Sequence, residues 1–411
     1  MRPRAVITGI GLVTPIGNGV EEYWAALTAG KSGVGPITLF DTSGYAVRIG
    51  GEVKDLDFSK YVAPTLSRKM SRASKLAVVA AKMAIEDAGL GITDQNREAI
   101  DIYLGVASMD FNTLGENMHR LRQRGPAAFS PLAPAISVAA APAGNIAITL
   151  GVSGETMTVT TGCSSSNNAI GQAFRRIRSG ESKVILAGGT DTSVQPDLIA
   201  AYSNAGALSK LNEEPTHACR PFDARRDGHV VSEAAGILIL EEYEEAKARG
   251  ARIYAEVVGY GTSTDCHSMF TVSENVEHAA RSIQKALCGA ERGPEKLGYY
   301  CAHGTAARNT DMRETNMLKK ALGRQAYQVP VSSVKSMTGH PFGAAGVLQT
   351  SACALAIHHQ AVPPTINYEE PDPDCDLDYV PNEARDRKVD MAMSYCLGMG
   401  GNNAAVALVA V

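Results

Sequence analysis

Along the chain, hydrophobic positions switch between a period of two and a period near 3.6, in short blocks separated by glycine-rich turns. From Thr156 to Thr161, threonines interleave with Met157 and Val159, which predicts a strand. Beyond it Ala169, Ile170, Ala173, Phe174 and Ile177 recur at helical spacing, and Gly180 supplies the stop. Cys163 stands between the two. RAVITGIG predicts a short buried strand, and Val20 to Ala29 a helix with Trp24 and Leu27 turned inward. Ser71 to Ala88 predicts a helix whose apolar face is Leu76, Val79, Ala80, Met83, Ala84 and Ala88. Further strands are expected at Ile102 to Ala107, Lys183 to Ala187 and Gly236 to Leu240, with a GGTD turn after the second and a polar helix at Glu241 to Arg249. Residues 125 to 145, rich in alanine and proline, fit either an interface or a pocket wall.

From Arg252 the order of elements begins again. ARIYAEVVGYG echoes PRAVITGIG, Glu277 to Leu287 echoes the helix at 71 to 88, and Gly298 to Ala302 echoes the strand at 102. VPVSSVKSMTGHPFGAAGVLQTS repeats strand, short loop and small-residue helix, as around Cys163. AMSYCLGMGGNNAAVALVAV closes with two strands about a glycine turn. The repetition predicts an α/β fold of two similar halves, residues 1–250 and 251–411, built as two sheets with helices between and around them.

Composition narrows the class. The 411 residues are 45% hydrophobic and 20% charged, ordinary for a globular chain with a sizeable core. A net charge of −4 gives no global basic field, which speaks against nucleic acid or an anionic membrane as the main partner. No apolar run approaches the length of a membrane span, and the N-terminus enters a strand with no signal region, so a cytoplasmic location is expected. The cysteines at 163, 219, 266, 288, 301, 353, 375 and 396 form no CxxC pair, so neither a metal site nor a disulfide framework is expected. The glycines at 9, 11 and 17 miss the dinucleotide spacing, and Pro15 sits where the helix should begin.

Candidate chemistry starts at Cys163. The orphan N–H groups of a helix start favour thiolate over thiol. On this stretch alone, a nucleophile and a small buried cysteine beside a serine-rich turn are evenly matched. CAHGTAARNTD with His303, VSSVKSMTGH with Lys335 and His340, and YCLGMGGNN each follow a strand, as Cys163 does. Strand ends on one side of an α/β sheet collect functional groups, and cysteine, two histidines and a lysine together point to nucleophilic catalysis. LSRKMSRASK carries Arg68, Lys69, Arg72 and Lys75, which as a bare charge run reads as a solvated helix end.

TGCSSSNNAIG, AHGTAARNTD, VSSVKSMTGHPFGAAG and LGMGGNN, in this order, resemble the β-ketoacyl-ACP synthases of the thiolase-like fold. The likeness covers essentially the whole chain. It is nearest the elongating enzymes of type II fatty-acid synthesis and the ketosynthase-α subunits of type II polyketide synthases. The resemblance implies a five-layer αβαβα sandwich and decarboxylative Claisen condensation with malonyl-ACP. In it Cys163 is the acyl acceptor, His303 and His340 promote decarboxylation and stabilise the enolate, and Lys335 supports them electrostatically. Thr305 meets the phosphopantetheine arm, and the backbone N–H groups of Cys163 and Met399 form the oxyanion hole. No cofactor is implied beyond that arm. The partners implied are an acidic acyl carrier protein, docked at Arg68 and Lys69, and a second ketosynthase chain. That second chain is either identical or a chain-length factor, and the small apolar residues around 132 to 150 and 156 to 160 fit the interface.

Several positions depart from the family's pattern. Met399 and Leu397 stand where phenylalanines are usual, Ala307 replaces the second threonine of HGTxT, and Gln349 stands where a glutamate is common. Ser108 occupies a position that often carries a bulkier apolar residue at the pocket floor. These changes lean toward a polyketide or polyene intermediate over fatty-acid elongation. GHPFGAAG and Cys396 also resemble a thiolase, but thiolases lack the AHGT histidine and the KSMTGH lysine. A catalytically silent chain-length factor would lack Cys163.

Overall fold

The protein was described from a computed structural model, over residues 2–411. The principal strands, in chain order, are β1 (Ala5–Thr14), β2 (Ile100–Gly105), β3 (Thr156–Val159), β4 (Val184–Thr192), β5 (Glu233–Glu242), β6 (Ala255–Thr264), β7 (Tyr299–Cys301), β8 (Val331–Ser332), β9 (Met391–Gly398) and β10 (Asn402–Val409). Their spatial order is β8-β7-β9-β10-β6-β1-β5-β4-β2-β3. Counted from its outer edge, each half therefore runs third, second, fourth, fifth, first strand. The two halves have one topology.

The main helices are α1 (Arg72–Ala88), α2 (Ala141–Leu150), α3 (Ser165–Arg178), α4 (Glu277–Gly289), α5 (Arg308–Leu322) and α6 (Ala345–His359). Helices α1 and α2 cover the outer face of the first half, and α4 and α5 that of the second. Helices α3 and α6 pack on each other and on strands of both halves. The result is the five-layer αβαβα sandwich, with one core on each side of each sheet layer. The expectation of two separate sheets needs one correction. Ala5, Val6 and Ile7 of β1 pair antiparallel with Val257, Glu256 and Ala255 of β6, so the halves share a continuous hydrogen-bonded ladder.

The echo of ITGIG in VVGYG has a steric cause. A Cβ on Gly11 would stand 1.9 Å from the Ala80 carbonyl oxygen of α1, and one on Gly261 would stand 1.9 Å from that of Ser282 in α4. Each outer helix lies directly on a strand face bared by glycine. The GGTD segment is not a turn, as expected, but the middle of β4. A Cβ on Gly188 would fall 2.0 Å from the Gly236 oxygen on β5, so glycine here serves close approach. The undecided stretch folds as short helices, Ala133–Ser137 and α2, preceded by a helix at Phe111–Arg124.

Serines and asparagines at the start of α3 are core ties, not a solvated turn. Asn167 is fully buried; its Nδ2 donates to the Ala404 carbonyl at 3.2 Å and its Oδ1 accepts from Thr350 at 3.1 Å and Ser394 at 3.2 Å. The Val347 N–H donates to Ser166 at 2.9 Å, and the Tyr260 hydroxyl to Asn168 at 2.6 Å. Buried polar groups satisfied in this way fix one register between α3, α6 and the second-half strands. Cys163 is thereby held against loops that come from the other half of the chain.

Gly11→Ala and Gly261→Ala must push a whole helix off its strand, and overpacking of this kind costs about 1–3 kcal/mol. Gly91→Ala, where nothing lies within 4 Å of the added carbon, serves as the comparison. In thermal unfolding, both core variants are expected to melt clearly below the wild type and Gly91→Ala close to it.

Candidate active site

Cys163 directly precedes α3, at the end of a tight turn. The Thr161 N–H donates to Ser165 Oγ at 2.9 Å, and that hydroxyl donates to the Gly162 carbonyl at 2.6 Å. Gly162 takes φ 63°, and a Cβ there would stand 3.0 Å from the Met399 nitrogen. A Cβ on Gly398 would stand 2.1 Å from the Thr161 oxygen. Two glycines thus let the β9–β10 turn lie against the cysteine turn. The backbone N–H groups of Cys163 and Met399 lie near enough to the sulfur to favour its negative charge.

His340 comes from the loop after β8. Its N–H donates to the Val230 carbonyl at 2.7 Å, and its carbonyl accepts from the Ser232 N–H at 3.0 Å. Its ring stacks on Phe342 at 4.6 Å, and its Nε2 lies 3.1 Å from Cys163 Sγ. His303, after β7, sets its ring edge to face with that of His340 at 5.5 Å. The His303 loop is clamped from α5. Glu314 accepts the N–H groups of His303 at 2.8 Å and Gly304 at 2.7 Å, and Asp311 accepts that of Thr305 at 2.9 Å.

Lys335 is the one lysine buried among the described residues. Its Nζ donates to the His303 carbonyl at 2.5 Å and to Gln349 Oε1 at 2.9 Å, both uncharged acceptors. The amide nitrogen of Gln349 donates to the carbonyls of Cys301 at 3.1 Å, Ala302 at 2.8 Å and Tyr395 at 2.8 Å. A carboxylate at this position would face three carbonyl oxygens with no proton to give them, so the amide suits its surroundings.

Burial dominates the electrostatics. It pushes the Cys163 thiol up to about 12, against the opposing pull of the Lys335 charge and the two N–H donors. The expectation of a dipole-lowered thiolate is therefore corrected: desolvation outweighs the helix start. Burial, reinforced by Lys335, also holds His303 and His340 well below the usual imidazole range, so both are neutral. A protonated thiol beside a neutral imidazole makes Nε2 of His340 the acceptor, with its ring proton assigned to Nδ1.

A cavity of about 390 Å³ opens on this cluster. Cys163, His303, His340, Thr305, Leu397 and Met399 line it, together with Ala307. Lys335 stands behind the two imidazoles. Ser108 is a correction: its hydroxyl donates to Asp191 at 2.5 Å, and it borders a separate small crevice with Ile136 and Val138. Arg68 and Lys69 are exposed and lie outside the cavity. Sequence reasoning missed His229 and Tyr202 on the cavity wall, Met269 and Phe270 at its rim, and Glu314 beneath it. Only Glu314 left a signal, since Asp311 and Glu314 are spaced to share a helix face directly after the His303 loop.

A cysteine paired with a neutral imidazole, faced by two backbone donors, on a duplicated five-layer sandwich, defines an acyl-transferring enzyme of the thiolase-like class. Comparison with known proteins narrows this. The beta-ketoacyl synthase N-terminal domain matches residues 3–246, and the corresponding C-terminal domain matches residues 254–369. The chain is 43% identical to 3-oxoacyl-[acyl-carrier-protein] synthase 2 of Synechocystis sp. over 99% of this chain and 98% of the relative. It is 40% identical to the tetracenomycin polyketide synthase ketoacyl synthase alpha subunit of Streptomyces glaucescens, over 98% and 96% of the two chains. Among solved structures, the ishigamide ketosynthase/chain length factor superposes with a TM-score of 0.92 at 38% identity, covering 100% of both chains. A type II polyketide acyl-carrier protein in complex with its ketosynthase bound to the hexaketide gives 0.92 at 34%, again covering 100% of both. The chain belongs to the β-ketoacyl synthase family, and it is a condensing acyltransferase that acts on carrier-bound acyl groups.

With the thiol pushed up to about 12, its reactive fraction grows roughly tenfold per pH unit across the accessible range. Alkylation of Cys163 by iodoacetamide is expected to climb from pH 7 through pH 10 without levelling. A plateau near neutral pH, followed by mass spectrometry, would identify a resident thiolate instead.

Proposed function

We propose that this chain is the catalytic ketosynthase of a type II polyketide or polyene pathway, acting with an acyl carrier protein and a second ketosynthase-like chain. The 3.1 Å contact between His340 Nε2 and Cys163 Sγ carries the reading. In the first half-reaction the Cys163 sulfur attacks the carrier thioester while His340 takes its proton and returns it to the departing carrier thiolate. The tetrahedral oxyanion faces the N–H groups of Cys163 and Met399. In the second, the bond between the malonyl methylene and its carboxylate breaks and carbon dioxide leaves. The electron pair stays as an enolate whose oxygen is held by His303 and by His340, which, with Cys163 acylated, no longer accepts from the thiol and carries its ring proton on Nε2. The resulting carbon attacks the acyl group on Cys163, and the thiolate departs and takes up a proton from water.

The polyketide assignment rests on the cavity wall, where Met399 and Tyr202 set polarisable or hydrogen-bonding groups against the chain. Fatty-acid elongation is the second reading, favoured by the 43% identity to an elongating synthase. A partner chain has a place to sit. Strand β3 ends the sheet, and Met157 on it, Ile148 on α2 and the neighbouring Leu132 and Val138 are exposed. An apolar face beside an unpaired edge strand is what a second copy or a close homologue covers. No described helix is long and apolar enough to cross a membrane.

Cys163→Ala is expected to abolish acyl loading, read by intact mass after incubation with a panel of acyl carrier proteins. Loading that survives places the nucleophile elsewhere. A profile restricted to saturated chains favours fatty-acid elongation. For the carrier surface, reversing Arg68 and Lys69 to glutamate is expected to raise KM for carrier-borne substrate about tenfold, the size of losing two charge contacts at a complementary rim. The same double variant should process free pantetheine thioesters at the wild-type rate. Equal KM values for carrier-borne substrate in both proteins would remove these residues from the docking surface.

A further inference from the structure

His229 belongs to no role described so far. It follows the RPFDARRDG segment and lines the Cys163 cavity. Its ring is held by packing alone: edge to face with His340 at 5.7 Å, with Tyr202 at 5.8 Å and with Phe342 at 5.9 Å. Its Nε2 is buried and has no hydrogen-bond partner. A buried, unmatched polar atom costs about 1–3 kcal/mol, so its retention in a cavity wall calls for a ligand group that uses it.

Cavity chemistry limits what that group is. No lysine or arginine lines the space. Its one acidic lining residue, Asp265, is taken up by Arg313 at 2.5 Å and Asn403 at 2.8 Å. An anionic substrate group entering here must be met by neutral donors. A malonyl thioester brings two oxygen-bearing carbons separated by a single methylene, and the thioester oxygen is claimed by His303 and His340. The ring separation of His229 from His340 nearly equals that between His340 and His303, at 5.7 Å and 5.5 Å. His229 and His303 thus both flank the His340 ring in the wall of one cavity.

We propose that His229 is a substrate-binding residue that donates a hydrogen bond to the carboxylate of the malonyl extender, holding the leaving group apart from the two histidines that receive the enolate. The inference rests on the condensing reaction given above. A neutral imidazole suits this position: it binds the carboxylate without the full charge that would trap it, and it loses its partner when carbon dioxide departs.

The test compares wild type with His229→Phe, which keeps the ring packing and removes both nitrogens, and with His229→Gln, which keeps a donor. Steady-state KM is measured separately for malonyl carrier protein and for an acyl carrier protein. The ratio of malonyl KM to acyl KM is expected to rise about tenfold in His229→Phe, as for loss of one hydrogen bond to a charged group, and to recover in part in His229→Gln. An unchanged ratio in a folded variant overturns the proposal. So does an increase confined to the acyl substrate, which would assign His229 to the growing chain. Failure of the wild type itself to load Cys163 or release carbon dioxide would count against the condensing reaction and is distinguishable from either result.

Discussion

A buried ammonium group with uncharged partners holds the site together. Lys335 lies between the His303 carbonyl and the Gln349 amide oxygen, and Gln349 in turn ties carbonyls on both sides of it to α6. The loop after β7, the loop after β8, strand β9 and helix α6 thus meet at one side chain pair. An isolated charge in such surroundings is expensive, and it is tolerable only where every acceptor is already in place. The arrangement of the surrounding backbone is therefore set by Lys335 as much as it sets Lys335. Neither atom that accepts from the ammonium carries a charge, and its field reaches the groups in front of it, Cys163, His303 and His340.

The same burial that makes the lysine costly keeps its neighbours neutral. His303 and His340 are held below the imidazole range and Cys163 above the thiol range, so the resting site contains a thiol, two neutral rings and one positive charge behind them. Burial depends on α3 and α6, which are enclosed by the sheet layers of both halves and locked by Asn167. Duplication of the fold has a direct geometric consequence: one half supplies Cys163 just before α3, and the other brings His340 to 3.1 Å from its sulfur and the Lys335 charge near it, from equivalent strand ends.

Much of this is legible in the residues. Glycine pairs such as Gly9 and Gly11 recur as Gly259 and Gly261, because the same helix-on-strand contact is made twice, and the repeat is visible from them. Cys163, His303, His340 and Lys335 are legible because each lies in a short loop just past a strand. What could not be read depends on distance through space. Ser108 turns to Asp191 and away from the cavity, a contact across 83 positions. His229 reaches the site through the long excursion between β4 and β5, whose start was misread because two glycines in β4 looked like a turn. The thiol was misjudged for a different reason: a helix start is visible in a sequence, while the depth of burial that outweighs it is not.

Decarboxylation moves charge in a direction that this site favours. The extender arrives with its negative charge on the carboxylate, and the reaction transfers that charge to the thioester oxygen. In the reaction proposed above, the charge is met at the start by neutral donors alone, and at the end it lies against His303 and His340, with Lys335 behind them. The interaction with the ammonium therefore grows as the bond breaks, which is the difference between ground and transition states that accelerates a step. A carboxylate in place of Gln349 would cancel part of that gain by pairing with Lys335. The amide preserves it, and its three carbonyl contacts explain how a neutral side chain can keep the ammonium fixed without neutralising it.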